Sequence, residues 1–326
     1  MNPVLPDEAL EFGTAAAKAF ADLGGVDAAR EAEELPDLRS TKIAPTLAAL
    51  GLDDLDPRAD ENTLAAAAAL CEAAGRIALP YPLPAALLRS EDGLPFAVVP
   101  DGRCRVDHGD LFGQWRVATL DGRASVATGA DQRLGTRLGP FVADLVADLT
   151  VTGDGGEAAA EDAAADVALH LTLTAWQILG TADRAVELAV EHVSDRIQFG
   201  KPLSAFQAVQ FQLADAAVAV AGLRELAMFT IWRLSVAPGD ATADALALRV
   251  HALDVARTVL RTAQQLHGAS GVCDEYDISV LTRHVQPALR LPSSAERTAQ
   301  ELASAIQRDG FDGLFEHGLF EHGRPA

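Results

Sequence analysis

The chain has 326 residues, of which 49% are hydrophobic and 22% are charged, and its formal net charge is −21. This length predicts about two domains, and the acidity predicts repulsion from nucleic acids and from anionic membranes. No apolar run reaches the length that spans a bilayer, the start lacks the features of a signal peptide, and the three cysteines show no metal-binding spacing. We therefore expect a cytoplasmic protein with no membrane segment and no bound metal.

Helical patterns come first along the chain. Apolar residues at helical spacing predict helices over residues 7–24 and 61–78, and three prolines between 80 and 84 impose an extended turn after the second one. Residues 94–153 change character, because short alternating runs at 96–100, 115–120 and 145–151 are separated by Asp-Gly turns. These runs predict a small antiparallel β domain. The glycine-rich acidic stretch 153–160 is typical of a surface link.

Long amphipathic helices follow. The spacing predicts helices over 161–193, 204–234 and 242–267, with shorter helical segments at 274–288 and 293–309, and such helices joined by short corners favour an antiparallel bundle. We predict domains at 1–92 (helical), 93–154 (reduced β) and 155–310 (helical bundle), with a tail at 311–326. The tail contains Gly-Leu-Phe-Glu-His twice, and we do not assign a metal site to this duplication.

A distinctive stretch starts at Arg196 and reads Arg-x-Gln-Phe-Gly-x-Pro-Leu-x-x-Phe-Gln-x-x-Gln. Glycine and proline in it break the first long helix, because glycine is flexible and proline lacks a backbone N–H. Ser204 is a predicted N-cap of the next helix, with Gln207 as its partner in a capping box. The pattern thus predicts a tight corner between two helices.

This stretch, followed by Leu-Ala-Asp, resembles the C-terminal signature of the flavin-dependent acyl-CoA dehydrogenase family. A second stretch, Gln-Leu-His-Gly-Ala-Ser-Gly at 265–271, resembles the Gln-x-x-Gly-Gly-x-Gly turn of the same family. The resemblance covers residues 165–308 well and is weak before 155. It implies a mainly α fold with an N-terminal helical domain, a reduced antiparallel β domain and a C-terminal four-helix-type bundle.

The resemblance also implies a cofactor, FAD, and residues that hold it. Arg196 corresponds to an arginine that reaches the FAD pyrophosphate held by a neighbouring subunit, and its planar fork of donors suits such a group. Its positive charge would attract an anionic ligand locally, although the net charge of the chain is strongly negative. The alternative from the residues alone is an ion pair with Asp195 or Asp215.

Three further residues of the corner resemble or flank cofactor positions. Phe199 and Gln207 correspond to residues that line the adenosine half of the flavin. The alternatives are a core plug for Phe199, a capping role for Gln207, and simple solvation for the neighbouring Gln198.

The second stretch places Gln265, Gly268 and Ala269 at a helix end. Glycine there permits a left-handed C-cap and close approach of the backbone to a ligand. The alternative is a helix terminator with no other role. Ala269 departs from the family pattern, which has a second glycine.

The catalytic base of the family is missing from its usual place. Family members use a glutamate to remove the α proton of an acyl-CoA thioester, and Pro292 occupies the matching position here. Glu296 lies one helical turn further on and resembles a later family position. Some members carry the base on the first bundle helix, where ungapped counting places His170, although a histidine on an apolar helix also fits a purely packed role.

Loss of a positioned base typically costs about 10²–10⁴ in rate, and the predicted β domain has no evident counterpart of the family's flavin-contact strands. This combination resembles the shorter subunit of heteromeric actinobacterial acyl-CoA dehydrogenases that act on steroid side-chain CoA thioesters. The resemblance implies an α2β2 assembly in which a longer catalytic partner supplies the glutamate and binds the acyl-CoA. The alternatives are a self-sufficient, monooxygenase-like flavoprotein and a non-catalytic scaffold that binds a partner.

Overall fold

A computed structural model describes residues 4–101, 103–129, 145–154 and 158–309. The N-terminal part is helical, as predicted. Its helices are α1 (Asp7–Asp22), α2 (Val26–Glu34), α3 (Ala44–Ala49), α4 (Glu61–Arg76) and α5 (Leu83–Leu87). The start of α4 is fixed by a capping box in which the Asp60 carboxylate accepts the Thr63 N–H at 2.8 Å.

A small β region follows. Its strands are β1 (Phe96–Val98), β2 (Arg105–Asp107), β3 (Gln114–Ala118), β4 (Ala124–Thr128), β5 (Val146–Asp148) and β6 (Thr150–Asp154). One sheet has the order β1-β3-β4-β6, and β2 pairs with β5 in a second sheet. The predicted Asp121-Gly122 turn joins β3 to β4, with Gly122 at a φ of 84°.

The prediction of a wholly antiparallel β domain is wrong at one edge, because β1 pairs with β3 in parallel. A parallel pair needs a connection long enough to return the chain to the same end of the sheet. Residues 99–113 provide that connection and carry β2 within it. The predicted link at 153–160 is also shorter than expected, since β6 includes residues 153 and 154 and a helix begins at residue 158.

The remaining described residues form the helical bundle. Its helices are α6 (Ala158–Asp195), α7 (Gln207–Val236), α8 (Thr242–His267), α9 (Asp277–His284), α10 (Gln286–Arg290) and α11 (Ala295–Asp309). Two short strands, β7 (Ile197–Gln198) and β8 (Lys201–Pro202), lie between α6 and α7. The long helices therefore match the apolar spacing of the sequence.

One hydrophobic core joins the N-terminal helices to the bundle. It contains Phe20 of α1, Leu70 of α4 and Trp176 of α6. The backbones of α4 and α6 approach closely, since a Cβ on Gly75 would lie 1.9 Å from the carbonyl oxygen of Gln177. The predicted domain boundaries stay predictions, but the helical parts on either side of the sheet share this core.

Two findings concern the function classes considered above. No helix within the described ranges is both long and apolar enough to cross a membrane. The same residues contain no cluster of three or more side chains suited to hold a metal ion. The duplicated Gly-Leu-Phe-Glu-His segment lies outside the described residues.

Candidate functional site

The corner after α6 is a two-residue β-hairpin. Ile197 pairs with Pro202 and Gln198 with Lys201, so that Phe199 and Gly200 form the turn. Both turn residues have positive φ, 54° and 80°, as in the type I′ turns that match the twist of paired strands. A positive φ is ordinary for glycine and strained for a bulky residue such as phenylalanine.

The helix after the hairpin starts later than predicted. Ser204 lies in a 3-10 turn (Leu203–Ala205), and α7 begins at Gln207 with Phe206 as its N-cap and no side-chain cap. The predicted capping box of Ser204 and Gln207 is therefore wrong. Instead, Gln210 Nε2 donates to the Ser204 carbonyl oxygen at 2.9 Å, and the Gln207 side chain is exposed.

Arg196 is anchored through its backbone, because its carbonyl oxygen accepts the Leu203 N–H at 2.9 Å. The residue is exposed. Within the described ranges its guanidinium makes no ion pair or hydrogen bond, so the alternative pairing with Asp195 or Asp215 does not form there. An exposed guanidinium with its donors available suits an external anion.

Phe199 does not fill the hydrophobic core, since 91% of it is exposed. The alternative of a core-packing role for this residue is therefore wrong. Its ring meets the edge of Phe206 at 6.2 Å between centroids, and Lys201 Nζ lies 4.2 Å from the centre of the Phe206 ring. Gln198, on β7, is half-buried.

We define an apolar surface at this corner, here called the corner face. Its members are the two large hydrophobic side chains of the hairpin that are mostly exposed, Ile197 and Phe199. Phe211 and Val218, further along α7, are also mostly exposed. Exposed apolar patches of this kind mark contacts with other molecules.

The turn after α8 offers an open backbone. Gln265, Gly268 and Ala269 are exposed, and a Cβ on Gly268 would meet nothing within 4 Å. Gly268 has φ 63° and ψ −134°, so it adopts the positive φ that favours glycine but not the left-handed helical C-cap that was predicted. Gly271 serves its own turn, since a Cβ there would lie 2.6 Å from the Gln264 carbonyl oxygen.

Two stacked histidines connect the end of α6, next to the Arg196 stretch, with the end of α8, which carries the 265–271 stretch. His192 in the last turn of α6 stacks on His267 in the last turn of α8, with 4.3 Å between ring centroids, and Tyr276 meets both rings edge-on. His267 Nδ1 donates to the Ala263 carbonyl oxygen at 2.7 Å. Burial lowers the pKa of His192, and the charges of His267 and Arg196 lower it further.

Sequence reasoning did not single out His192 or Tyr276. A signal for the first existed, because His192 lies only four residues before Arg196. No comparable local signal marked Tyr276, which reaches the pair through folding of the segment after α8.

The turn at Pro292 is held by a buried arginine. Arg249 of α8 donates to the carbonyl oxygens of Leu291 at 2.6 Å and Ser293 at 3.2 Å, on both sides of Pro292. Burial lowers the pKa of Arg249 to about 10. Glu296 is exposed at the start of α11. The residues on both sides of Pro292, the residue at the position predicted for the base, thus contact a cation.

Pro292 and His170 line one cavity of about 100 Å³. His170 Nδ1 is buried there and has no hydrogen-bond partner among the described residues. Burial, with a smaller contribution from the charge of Arg249, lowers the pKa of His170 to about 3. Because an effective general base has a pKa near the operating pH, this environment argues against His170 as a base. Its catalytic role stays a prediction.

Backbone strain at the corner leads to a stability prediction. Phe199→Asn creates Asn-Gly, the preferred dipeptide of a type I′ turn, and is expected to raise the free energy of unfolding by about 1 kcal/mol. Urea unfolding of the isolated chain measures this change. Phe211→Asn is the control, because Phe211 is also exposed but lies within α7, where asparagine brings no gain. Destabilisation by Phe199→Asn would show that the ring contact with Phe206 outweighs the strain.

Comparisons with known proteins find similarity to acyl-CoA dehydrogenases in both sequence and structure. Residues 170–289 match the family "Acyl-CoA dehydrogenase, C-terminal domain". The chain is 31% identical over 134 residues to the acyl-CoA dehydrogenase IpdE2 of Mycolicibacterium smegmatis, which is 41% of each protein. The match spans 27% of another curated relative, so the aligned segment covers less than half the length of these relatives.

Solved structures extend the likeness to almost the whole chain. The ChsE4-ChsE5 complex from Mycobacterium tuberculosis has a TM-score of 0.76 at 18% identity, with 94% of this chain and 99% of that chain covered. The Tcur3481-Tcur3483 steroid ACAD G363A variant has a TM-score of 0.74 at 22% identity, with 93% and 99% covered. Residues 170–289, within the C-terminal bundle, thus match an acyl-CoA dehydrogenase domain. The fold over most of the chain is therefore that of the acyl-CoA dehydrogenases, and another similar solved structure, a glutaryl-CoA dehydrogenase from Mycobacterium smegmatis, is named as a complex with FADH2.

Proposed function

We propose that this chain is a subunit of a hetero-oligomeric, FAD-dependent acyl-CoA dehydrogenase. It completes the flavin site of a longer catalytic partner within an α2β2 assembly. The partner supplies the glutamate base and binds the acyl-CoA substrate, for which we propose a steroid side-chain thioester. The observation that carries this proposal is the exposed Arg196, whose guanidinium pairs with no carboxylate in the described part of the chain.

The exposed residues at the ends of α6 and α8 fit an anionic dinucleotide. A guanidinium fork suits a pyrophosphate, amide side chains suit ribose and base edges, an aromatic ring suits stacking, and an open glycine permits close backbone approach. The side chains and backbone positions that we assign to FAD are Arg196, Gln198, Phe199, Gln207, Gln265, Gly268 and Ala269. These residues would hold FAD, which would supply a hydride acceptor for the β hydrogen of the thioester.

Two features support a division of labour with a partner. Pro292 stands where the family has its base, and proline cannot accept a proton. The cavity beside it, about 100 Å³, is well below the roughly 300–1,000 Å³ of most ligand sites. These features favour a role in which the proton is removed on another chain, and they disfavour a self-sufficient flavoenzyme.

The comparisons and the corner face support a protein partner. Two of the similar solved structures are named as the ChsE4-ChsE5 complex and as a Tcur3481-Tcur3483 steroid ACAD, and one relative is named as an acyl-CoA dehydrogenase. The corner face adjoins Arg196 and exposes Phe199 almost fully. A partner that covers it would bury apolar surface and bring its own flavin to the guanidinium.

A flavin count tests the proposal. The chain purified alone is expected to hold little flavin, because it offers only the outer contacts, whereas co-expression with its catalytic partner is expected to give FAD equimolar with this chain. The absorbance spectrum of each preparation measures the content. Stoichiometric flavin on the lone chain, together with acyl-CoA oxidation, would favour the self-sufficient enzyme, and a flavin-free complex would favour the scaffold.

A further inference from the structure

The stacked histidines lie between the two stretches that we assign to FAD, but they have no role in that assignment. His192 and His267 have 4.3 Å between their ring centroids and 24° between their ring planes. The ring of Tyr276 meets the stack edge-on, with its centroid 6.5 Å from that of His192 and 6.4 Å from that of His267. Three aromatic rings thus fix one another where α6 and α8 end, next to Arg196 and Gly268.

His192 is joined to Arg196 through the backbone. The His192 carbonyl oxygen accepts the Arg196 N–H at 2.9 Å, and the Arg196 carbonyl oxygen accepts the Leu203 N–H at 2.9 Å. The main chain of Arg196 is therefore held on one side by the last turn of α6 and on the other by the 3-10 turn after the hairpin. Because the stack fixes the ring of His192, it also restrains the backbone from which the arginine side chain extends.

The stack favours one added proton over two, because like charges at this separation repel each other. His267 is only 8% exposed. Its Nδ1 donates to the Ala263 carbonyl oxygen, which places the proton of the neutral ring on Nδ1. His192 is half-buried, and its ring nitrogens have no hydrogen-bond partner among the described residues. Since burial disfavours the charged form, an added proton belongs on His192, the more exposed ring.

The groups that face His192 disfavour this proton in the free chain. Burial lowers the pKa of His192, the charges of His267 and Arg196 lower it further, and Asp195 acts in the opposite direction. Tyr276 contributes its uncharged ring edge to the stack. Of the two opposing charges, that of Arg196 is the one that an anion bound to its guanidinium would cancel.

Charged side chains from other elements packed against α6 already have partners. On β8, Lys201 Nζ lies 4.2 Å from the centre of the Phe206 ring. On α9, Asp277 bonds Arg30 at 2.8 Å. Arg196, by contrast, pairs with no carboxylate of the described residues, so a ligand can change the charge that it presents to the stack.

We propose that His192 is a positioning residue of the anion site and takes up a proton when a pyrophosphate binds Arg196. A bound pyrophosphate cancels the charge of the guanidinium and adds negative charge, which favours the charged form of His192. This inference rests on the proposed function, since it concerns the pyrophosphate of the same FAD site. It adds a regulating variable, the pH, to that site.

The direction of the pH dependence follows from the reciprocity of coupled binding. The pKa of His192 is higher with the anion bound than without it. The affinity for the anion therefore rises as the pH falls between these two pKa values, and it is constant above the higher one and below the lower one. Each pKa unit between them corresponds to about tenfold in affinity.

ADP-ribose tests the proposal on the isolated chain, because it is a pyrophosphate diester whose own charge is constant between about pH 5.5 and pH 8. Proton–nitrogen NMR spectra of the histidine rings, recorded against pH, report the protonation of His192, and the signal lost in His192→Gln assigns it. We expect ADP-ribose to raise the pKa of His192. We also expect it to bind about three- to tenfold more tightly at pH 5.5 than at pH 8.

Three variants separate this proton uptake from a merely structural role. His192→Gln is expected to abolish the pH dependence of ADP-ribose binding, whereas a structural loss would lower the affinity equally at both pH values. In Arg196→Ala, ADP-ribose is expected to leave the His192 signals unchanged. His251→Gln is the matched control and is expected to keep the pH dependence, because His251 lies in α8 like His267 but about 24 Å earlier along the helix.

A pKa of His192 that is the same with and without ADP-ribose overturns the proposal, and so does a pH dependence that survives in His192→Gln. The wild-type spectra decide the matter if a variant does not fold. The flavin content of the co-expressed complex is a separate measurement. Flavin in that complex together with an unresponsive His192 leaves the proposed function standing, whereas a flavin-free complex overturns the proposed function even if His192 responds to ADP-ribose.

Discussion

Replacement of Asp166 by alanine is expected to lower the free energy of unfolding by about 3–5 kcal/mol. Asp166 of α6 is only 3% exposed. Its carboxylate accepts Arg58 Nε at 2.7 Å and also bonds Arg116 Nη1. Arg58 belongs to the N-terminal helical part and Arg116 to β3, so a single carboxylate connects three parts of the chain.

The loss is large because alanine leaves two partly buried guanidinium groups without their shared counter-charge. Urea unfolding of the isolated chain, followed by circular dichroism, measures the change. Asp56→Ala provides a matched control, because Asp56 also bonds Arg58, at 3.2 Å, but is 55% exposed. Exposed pairs contribute about 0–1 kcal/mol. Equal losses in the two variants would show that Asp166 is not a structural junction.

The helices follow from local sequence, because an apolar stripe of helical period can be buried only by a helix. The predicted limits of 242–267 match α8, and the long pattern around Trp176 becomes α6. The β region was harder to predict. Strands β1 and β2 have three residues each, and the parallel pairing of β1 with β3 depends on contacts across the sheet rather than on any local pattern.

The corner shows where a local rule fails. Ser204 and Gln207 have the spacing of a capping box, but Pro202 and the 3-10 turn delay the helix, and the box does not form. The hairpin was hidden because Phe199 occupies a position where asparagine or glycine is the usual signal. A strained residue that local preferences do not explain is typical of a site with another role.

The two sequence motifs contain Arg196 and Gly268, and the structure leaves both residues exposed. Other groups acquire their roles only through folding. Arg249 reaches carbonyl oxygens about forty positions further along the chain, and Asp107 lines a cavity that is also lined by residues of α6. No window of sequence contains both sides of such contacts. The proline at 292 was visible in the sequence, whereas the guanidinium beside it was not.

Arg196→Ala is expected to weaken FAD binding by the proposed hetero-oligomer by about 10–100-fold, the equivalent of about 1.5–3 kcal/mol for hydrogen bonds to a charged group. The guanidinium is exposed and already available, so alanine removes donors without disturbing a structural ion pair of the described residues. Stability of the lone chain is therefore expected to stay unchanged. Flavin fluorescence released on dilution of the co-expressed complex measures the affinity.

Three comparisons make this result specific. Arg196→Lys keeps the charge but loses the planar fork, so it is expected to restore only part of the affinity. Raised ionic strength is expected to weaken the wild-type complex more than the alanine variant, since salt screens an exposed charge. Arg103→Ala removes another exposed arginine, one in the β region, and is expected to leave flavin content unchanged. Full flavin retention in Arg196→Ala would remove this arginine from the site and, with it, the main support for a shared cofactor.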